Sequence, residues 1–301
     1  MKVGMQILPL LHEFFDNPLE TLETIGGLGY RYVELIDQIG HADRVSGTNY
    51  TPKQIVEYAQ QTGISFVGAH IGSNLNVPPK PLLDIILESK DEQKAIVEYY
   101  SNLKCPTLAM AEDYFPSKDY LLKRCEMYNQ FGEMLAEAGI QLLYHTHFYD
   151  FQTFDDKYIL DIMMEQVESE FLKLEIDAYW TIIGGMNPAD VIRKYGKRVS
   201  ILHIKDYPYD RLGEINIWDV FPKEKPVEYK TFWEIVKPET FVEIGYGAVK
   251  IQDIINAGND NEVPYILMEQ TYPEGTTIKE KLNSLRKSMD SFRKMRGIDW
   301  D

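Results

Sequence analysis

The chain has 301 residues and carries 31 Lys and Arg against 47 Asp and Glu, a formal charge of −16 at pH 7. Its 44% hydrophobic and 26% charged residues are ordinary for a folded protein and exclude a disordered one, and the length allows two average domains or one large α/β barrel. The charge repels nucleic-acid phosphates and anionic lipid, and no stretch reaches the roughly 18 unbroken apolar residues of a membrane span, so neither partner is expected.

The opening residues, Met1-Lys2-Val3-Gly4-Met5, hold no extended apolar signal segment, which makes the cytoplasm the default location. The two cysteines, Cys105 and Cys125, lack CxxC spacing and read as buried thiols.

Along the chain one grammar recurs: an amphipathic helix, a glycine, then a short apolar run that turns polar at its end. Residues 18–28 precede Gly29 and a strand from Tyr30; residues 52–61 precede Gly63 and a strand ending at His70. In the third case Leu121, Cys125, Tyr128, Phe131 and Leu135 recur at spacings of four and three before Gly139 and another apolar run. A glycine after a helix takes the left-handed cap that turns the chain into the next strand.

Strands are predicted at 2–7, 32–35, 65–70, 107–111, 141–147, 172–177, 200–205 and 265–269. Eight strands alternating with helices, with no linker or shift in composition, predict a (β/α)8 TIM barrel forming a single domain over residues 1–301. The absence of an early GxGxxG weakens a dinucleotide-binding fold. Residues 208–240, with Trp218, Phe221 and Trp233, read as a long loop after the seventh strand that can cover an active site. Near the end, Arg286 to Arg296 is interrupted by Met289, Phe292 and Met295, the pattern of an amphipathic helix and not of a nucleic-acid patch.

Side chains two apart on a strand share a face. Leu143, His145 and His147 then fall together, as do Glu175 with Asp177 and His203 with Lys205, while Glu269 opposes Ile266 and Met268. Outward faces of a barrel meet helices and must be apolar, so these ionisable groups point inward, at the strand ends where barrel sites are built. Burying Glu175, Asp177 and Glu269 together requires cations close by, and a divalent metal is the economical one. Glu34 and His70 end the second and third strands and are candidate contacts for substrate hydroxyls.

The runs Tyr144-His145-Thr146-His147-Phe148-Tyr149-Asp150-Phe151, Leu174-Glu175-Ile176-Asp177-Ala178-Tyr179-Trp180, Leu202-His203-Ile204-Lys205-Asp206 and Ile266-Leu267-Met268-Glu269-Gln270 resemble successive motifs of the xylose-isomerase-like TIM-barrel sugar isomerase/epimerase family, which includes keto-inositol dehydratases. The resemblance implies a divalent metal held by Asp177, His203 and Glu269. At the fifth-strand position, where many relatives have Glu, this chain has His145, with His147 the alternative ligand. Two imidazoles favour Mn²⁺, Co²⁺ or Zn²⁺ over Mg²⁺.

The resemblance further implies proton abstraction beside a carbonyl of a small sugar or cyclitol, through an enediolate; loss of a β-hydroxyl from the same enolate would make a dehydratase instead. His147 or Glu269 is the candidate base. Lys205 is either a cation for a substrate oxygen or an interior salt bridge. Glu175 reads as support for the ligands as readily as a substrate contact, and Trp180 with Tyr179 as a wall for a sugar ring or as packing. Glu243-Ile244-Gly245-Tyr246-Gly247 is poor evidence for a phosphate loop, and His12 and His41 fall in expected loops without signal. Barrels of this kind often pair, so a homo-oligomer is open, with no sequence feature fixing an interface.

Overall fold

A computed structural model describes residues 1–36, 44–45, 47–71, 82–211, 216–228, 230–232 and 241–300. Eight parallel strands close into a barrel: β1 (Lys2–Gln6), β2 (Tyr32–Ile36), β3 (Ser65–Ile71), β4 (Thr107–Met110), β5 (Gln141–His145), β6 (Leu172–Asp177), β7 (Val199–Ile204) and β8 (Tyr265–Met268). Each strand pairs with its neighbours in sequence, and β1 pairs with β8 to complete the ring. A two-residue hairpin, Thr153–Phe154 with Lys157–Tyr158, stands apart.

The helix boundaries follow from local chemistry. Asn17 caps the helix Pro18–Leu28 through the Glu20 N–H, with proline at the first helical position, and Gly29 ends it at φ 103°. Thr51 and Gln54 form a reciprocal capping box for Pro52–Thr62, which Gly63 ends at φ 68°. The helices bury one face against the outside of the barrel, which is why the strands are apolar outward. At the end, Leu285, Met289 and Phe292 of helix Ile278–Phe292 are buried, as the spacing predicts.

Inside, Val67, Ala109, Leu143, Ile201 and Leu267 form a small apolar floor separate from the outer core. Gly4 lets β1 close the ring: a Cβ there would stand 2.4 Å from the Tyr32 carbonyl oxygen and 2.6 Å from the Leu267 side chain. Polar side chains begin directly above this floor.

Three expectations need correction or placement. The fifth strand ends at His145, not His147, because Asp150 accepts the His147 N–H at 2.6 Å and the Tyr144 hydroxyl at 2.7 Å, turning the chain into a short 3₁₀ helix. His12 lies in the helix Leu11–Asp16 and not in a loop. His41 and Trp233 lie outside the described residues. Both cysteines are buried and form no disulfide, and no helix among the described residues is long and apolar enough to cross a membrane.

Candidate active site

The inward side chains above the floor form two polar layers. The lower one contains Gln6, Glu34, His70 and Glu175, all buried. Strand register places Gln6 beside Glu34 on the inner face. The Gln6 amide nitrogen donates to Glu34 Oε2 at 3.0 Å and contacts His70 Nδ1 at 3.2 Å, and His70 Nε2 lies 2.5 Å from Glu175 Oε2. His203 reaches down into the layer, its Nε2 3.0 Å from Glu34 Oε2 and 3.2 Å from Glu175 Oε1.

The upper layer holds His145, Asp177, Lys205 and Glu269. Lys205 Nζ donates to Asp177 Oδ2 at 2.5 Å and to Glu269 Oε2 at 2.8 Å, and His203 Nδ1 stands 2.7 Å from the same Glu269 oxygen. Asp177 is fixed by its other oxygen, which accepts the Trp180 N–H at 2.8 Å and so caps the helix Ala178–Ile183. His145 Nε2 lies 3.7 Å from Asp177 Oδ2 and 3.9 Å from Glu269 Oε2, beyond hydrogen-bond reach. Neither of its ring nitrogens has a hydrogen-bond partner among the described residues.

Electrostatics separates the groups. Burial alone would raise Asp177 and Glu269, but Lys205 beside both, with His145 near the first and His203 near the second, holds their carboxyls below the ordinary range. Burial works against the Lys205 ammonium, yet Asp177 and Glu269 hold its pKa above the usual lysine value. His145 is lowered by burial and by the charges of His70 and His203; His147 is pushed well below the usual imidazole range by burial and then by His145. Glu34 is raised by burial and by Glu175.

A divalent ion fits the upper layer. Ligand atoms of His145, Asp177, His203 and Glu269 all lie within 4.8 Å of one another, and the set of two imidazoles and two carboxylates suits a transition ion. The orphaned His145 faces the gap between the two carboxylates. Lys205 touches the same two oxygens, so an ion and the ammonium would share them. His147 is in neither group of mutually close ligand atoms; His145 is in both.

His147 belongs to the wall above. Its ring stacks on Tyr149 at 5.1 Å and tilts against Trp180 at 5.4 Å, with Phe232 edge-on at 5.9 Å. Phe232 comes from the long loop after β7, which therefore reaches the site as its aromatic content predicts. Trp180 also lies 5.7 Å under Lys205 Nζ. The other three expected substrate contacts, Glu34, His70 and Glu175, sit one inward step lower, where His70 joins Glu175 and Gln6 joins Glu34, while Glu34 Oε1 and Glu175 Oε1 stay without a hydrogen-bond partner among the described residues.

Two residues escaped the sequence reading. Gln6 is the lone polar residue at the end of β1, and the alternation rule applied to that strand would have found it. Glu112 follows β4, with Oε2 3.5 Å from the Tyr114 hydroxyl; burial pushes its pKa to about 7. The glycines of residues 243–247 serve a local purpose: the Asp206 carboxylate accepts the N–H groups of Gly245, Gly247 and Val249, each at 3.0 Å. A Cβ on Gly247 would stand 2.2 Å from the Tyr207 carbonyl oxygen. Glu243 pairs with Lys287 at 2.9 Å.

Comparison with known proteins agrees with this architecture. The structure superimposes on a sugar phosphate isomerase/epimerase from Parabacteroides distasonis with a TM-score of 0.73 at 17% identity, covering 99% of this chain and 95% of that one. It also superimposes on a D-psicose 3-epimerase from Clostridium cellulolyticum with a TM-score of 0.67 at 14% identity, covering 98% and 99%. At these identities the likeness is one of fold. An inosose dehydratase of Clostridium beijerinckii is 25% identical over 158 residues, 52% of this chain and 48% of the relative. The chain spans about half the length of the curated relatives it matches. Over residues 22–294 it matches the family described as "Xylose isomerase-like TIM barrel", and with the closed eight-strand barrel in hand the chain belongs to that family.

Proposed function

We propose that this chain, as one barrel domain, is an isomerase or epimerase of a small sugar or cyclitol, with a divalent ion between His145, Asp177, His203 and Glu269. The observation that carries the reading is His145, buried at the mouth with both ring nitrogens unpartnered and facing two carboxylates across a gap. A buried polar group left without a partner costs about 1–3 kcal/mol, which a ligand at the gap would recover. Two carboxylates balance a dication, and the two imidazoles favour manganese, cobalt or zinc over magnesium. When bound, such an ion supplies Lewis-acid polarisation of a substrate oxygen.

The chain's own groups do the rest. With Asp177 and Glu269 answering the dication, the Lys205 ammonium is the charge left over. It complements the oxygen that turns negative when a proton leaves the carbon beside a carbonyl. Burial keeps His147 neutral, and its Nδ1, without a partner among the described residues, offers a free lone pair as the base. Glu269, kept ionised by Lys205 and His203, is the second base. Trp180, Tyr149 and Phe232 give the apolar face of a sugar ring a surface to lie on and keep water from the proton in transit.

The curated relatives favour a second reading, a dehydratase of a keto-cyclitol. In it, the proton that His147 takes from carbon would be passed on to the departing hydroxyl. Metal analysis of the purified protein, followed by NMR of candidate ketoses and inososes in deuterated water, separates the readings. Deuterium entry without loss of water selects an isomerase, and loss of water selects a lyase. A protein that takes up no ion and exchanges no deuterium with any of them overturns both. That neither buried cysteine forms a disulfide accords with a reducing cytoplasm, the location we assign.

A further inference from the structure

We propose that the lower polar layer is a second seat for a divalent cation, held by His203 Nε2 with the carboxylates of Glu34 and Glu175. This seat lies beyond the ion proposed above, with which it shares the His203 ring: Nδ1 stands 2.7 Å from Glu269 Oε2 in the upper layer, and Nε2 lies among the oxygens of the lower one. His203 is fully buried, and its Nε2 has no hydrogen-bond partner among the described residues, although Glu34 Oε2 stands 3.0 Å and Glu175 Oε1 3.2 Å away. Both oxygens are near enough to accept a ring proton but too oblique to do so.

Ligands of one ion stand to each other in that way. Two ligand atoms each about 2.1 Å from an octahedral ion are about 3.0 Å apart, and each lies about 45° off the other's bond to the ion. His70 Nε2 is 3.2 Å from Glu34 Oε2, a similar spacing, and ligand atoms of His70, His145, Glu175 and His203 all lie within 4.8 Å of one another. Each carboxylate is held by one oxygen and has the other to spare. The Gln6 amide nitrogen donates to Glu34 Oε2 at 3.0 Å and His70 Nε2 meets Glu175 Oε2 at 2.5 Å, while Glu34 Oε1 and Glu175 Oε1 have no hydrogen-bond partner among the described residues.

Charge points the same way. In the upper layer Lys205 answers Asp177 and Glu269. Among the described residues no ammonium or guanidinium reaches Glu34 or Glu175, whose ion-pair partners are His70 and His203. Two carboxylates buried together call for a full cation, and a dication balances both. A doubly protonated His203 is the competing answer, but it would aim an Nε2–H at oxygens that are not aligned to accept it. With both seats filled, His203 carries an ion on each nitrogen and releases its last ring proton to solvent.

The test titrates the full chain with manganese(II) and counts bound ions by loss of the free-ion EPR signal. Two ions per chain are expected, magnetically coupled through the shared ring. The count should fall to one in Glu175→Gln, which keeps the upper ion, and to one in Asp177→Asn, which keeps the lower. A single ion in the parent, lost in Asp177→Asn and retained in Glu175→Gln, would overturn the seat and leave the upper centre standing; so would a second ion that Glu175→Gln retains. A single ion lost in Glu175→Gln and retained in Asp177→Asn would uphold the seat and remove the upper centre, so the two failures are told apart. A parent that binds no manganese removes both. Should Glu175→Gln fail to fold, the other two proteins decide: a coupled pair, or a single ion that Asp177→Asn retains, upholds the seat, and a single ion that Asp177→Asn loses overturns it.

Discussion

In the lower polar layer Glu34, His70, Glu175 and His203 approach one another at 2.5–3.2 Å, while in the upper one His145 stands off Asp177 and Glu269 by 3.7 and 3.9 Å. The residue types are the same, and the floor beneath both is apolar. The lower layer is drawn together by close His–carboxylate contacts, although Glu34 Oε1, Glu175 Oε1 and His203 Nε2 keep no hydrogen bond among the described residues. The upper layer sits at the C-terminal ends of the strands, and there both ring nitrogens of His145 are unpartnered among the described residues. Its unmet capacity therefore marks where something else is meant to bind, and variants can break each layer separately.

The largest effect is expected from Asp177→Asn. Asparagine can keep an oxygen on the Trp180 N–H, so the helix cap survives, but the charge facing His145 is lost. Ion content and turnover should both fall, turnover by at least about 100-fold. Steady-state rates alongside metal analysis check this; a variant that retains its ion and its rate would show that the ion does not sit on Asp177 and that the Asp177–Lys205 pair is structural.

Lys205→Met probes the shared oxygens. Without an ion, removing the ammonium leaves buried Asp177 and Glu269 without the cation they share, Glu269 keeping only His203, a loss of about 3 kcal/mol in the metal-free chain. With zinc or manganese present the ion answers those charges, so denaturant unfolding should show a much smaller loss. Equal losses with and without metal would mean that the ion and Lys205 do not meet the same carboxylates, and the comparison between layers would lose its chemical meaning.

Much of this was legible in the sequence because alternation on a strand is a strict rule. His145, Asp177, His203 and Glu269 converge as their inward register requires, and Gly29 and Gly63 cap their helices as the grammar demands. What the sequence could not supply was depth. Glu34, His70 and Glu175 share the inward face with the upper residues, but which level each occupies depends on barrel stagger and on shifts in register between β2 and β3 and between β6 and β7. Those shifts are set by pairing between strands, which no single strand encodes. Glu112 was missed for a related reason: it lies just past the apolar run of β4, where alternation no longer applies.

Glu112 also supplies the smallest of the expected effects, near enough to His70 to feel its charge. Burial raises its pKa to about 7, against smaller opposing effects of the Tyr114 hydroxyl and His70. The folded chain therefore keeps a proton that the unfolded chain gives up from about pH 4.5. The stability this proton contributes is fully present below pH 4.5 and is lost as pH rises through 7. Asp113 and Asp150, raised by burial to about 6 and about 8, bend the curve of the parent in the same direction. The signal is thus the difference between parent and Glu112→Gln. Without metal, the variant should lose less of its thermal midpoint between pH 5 and pH 8, by about 2 °C. Parallel curves would place Glu112 in water, with an ordinary carboxylate titration.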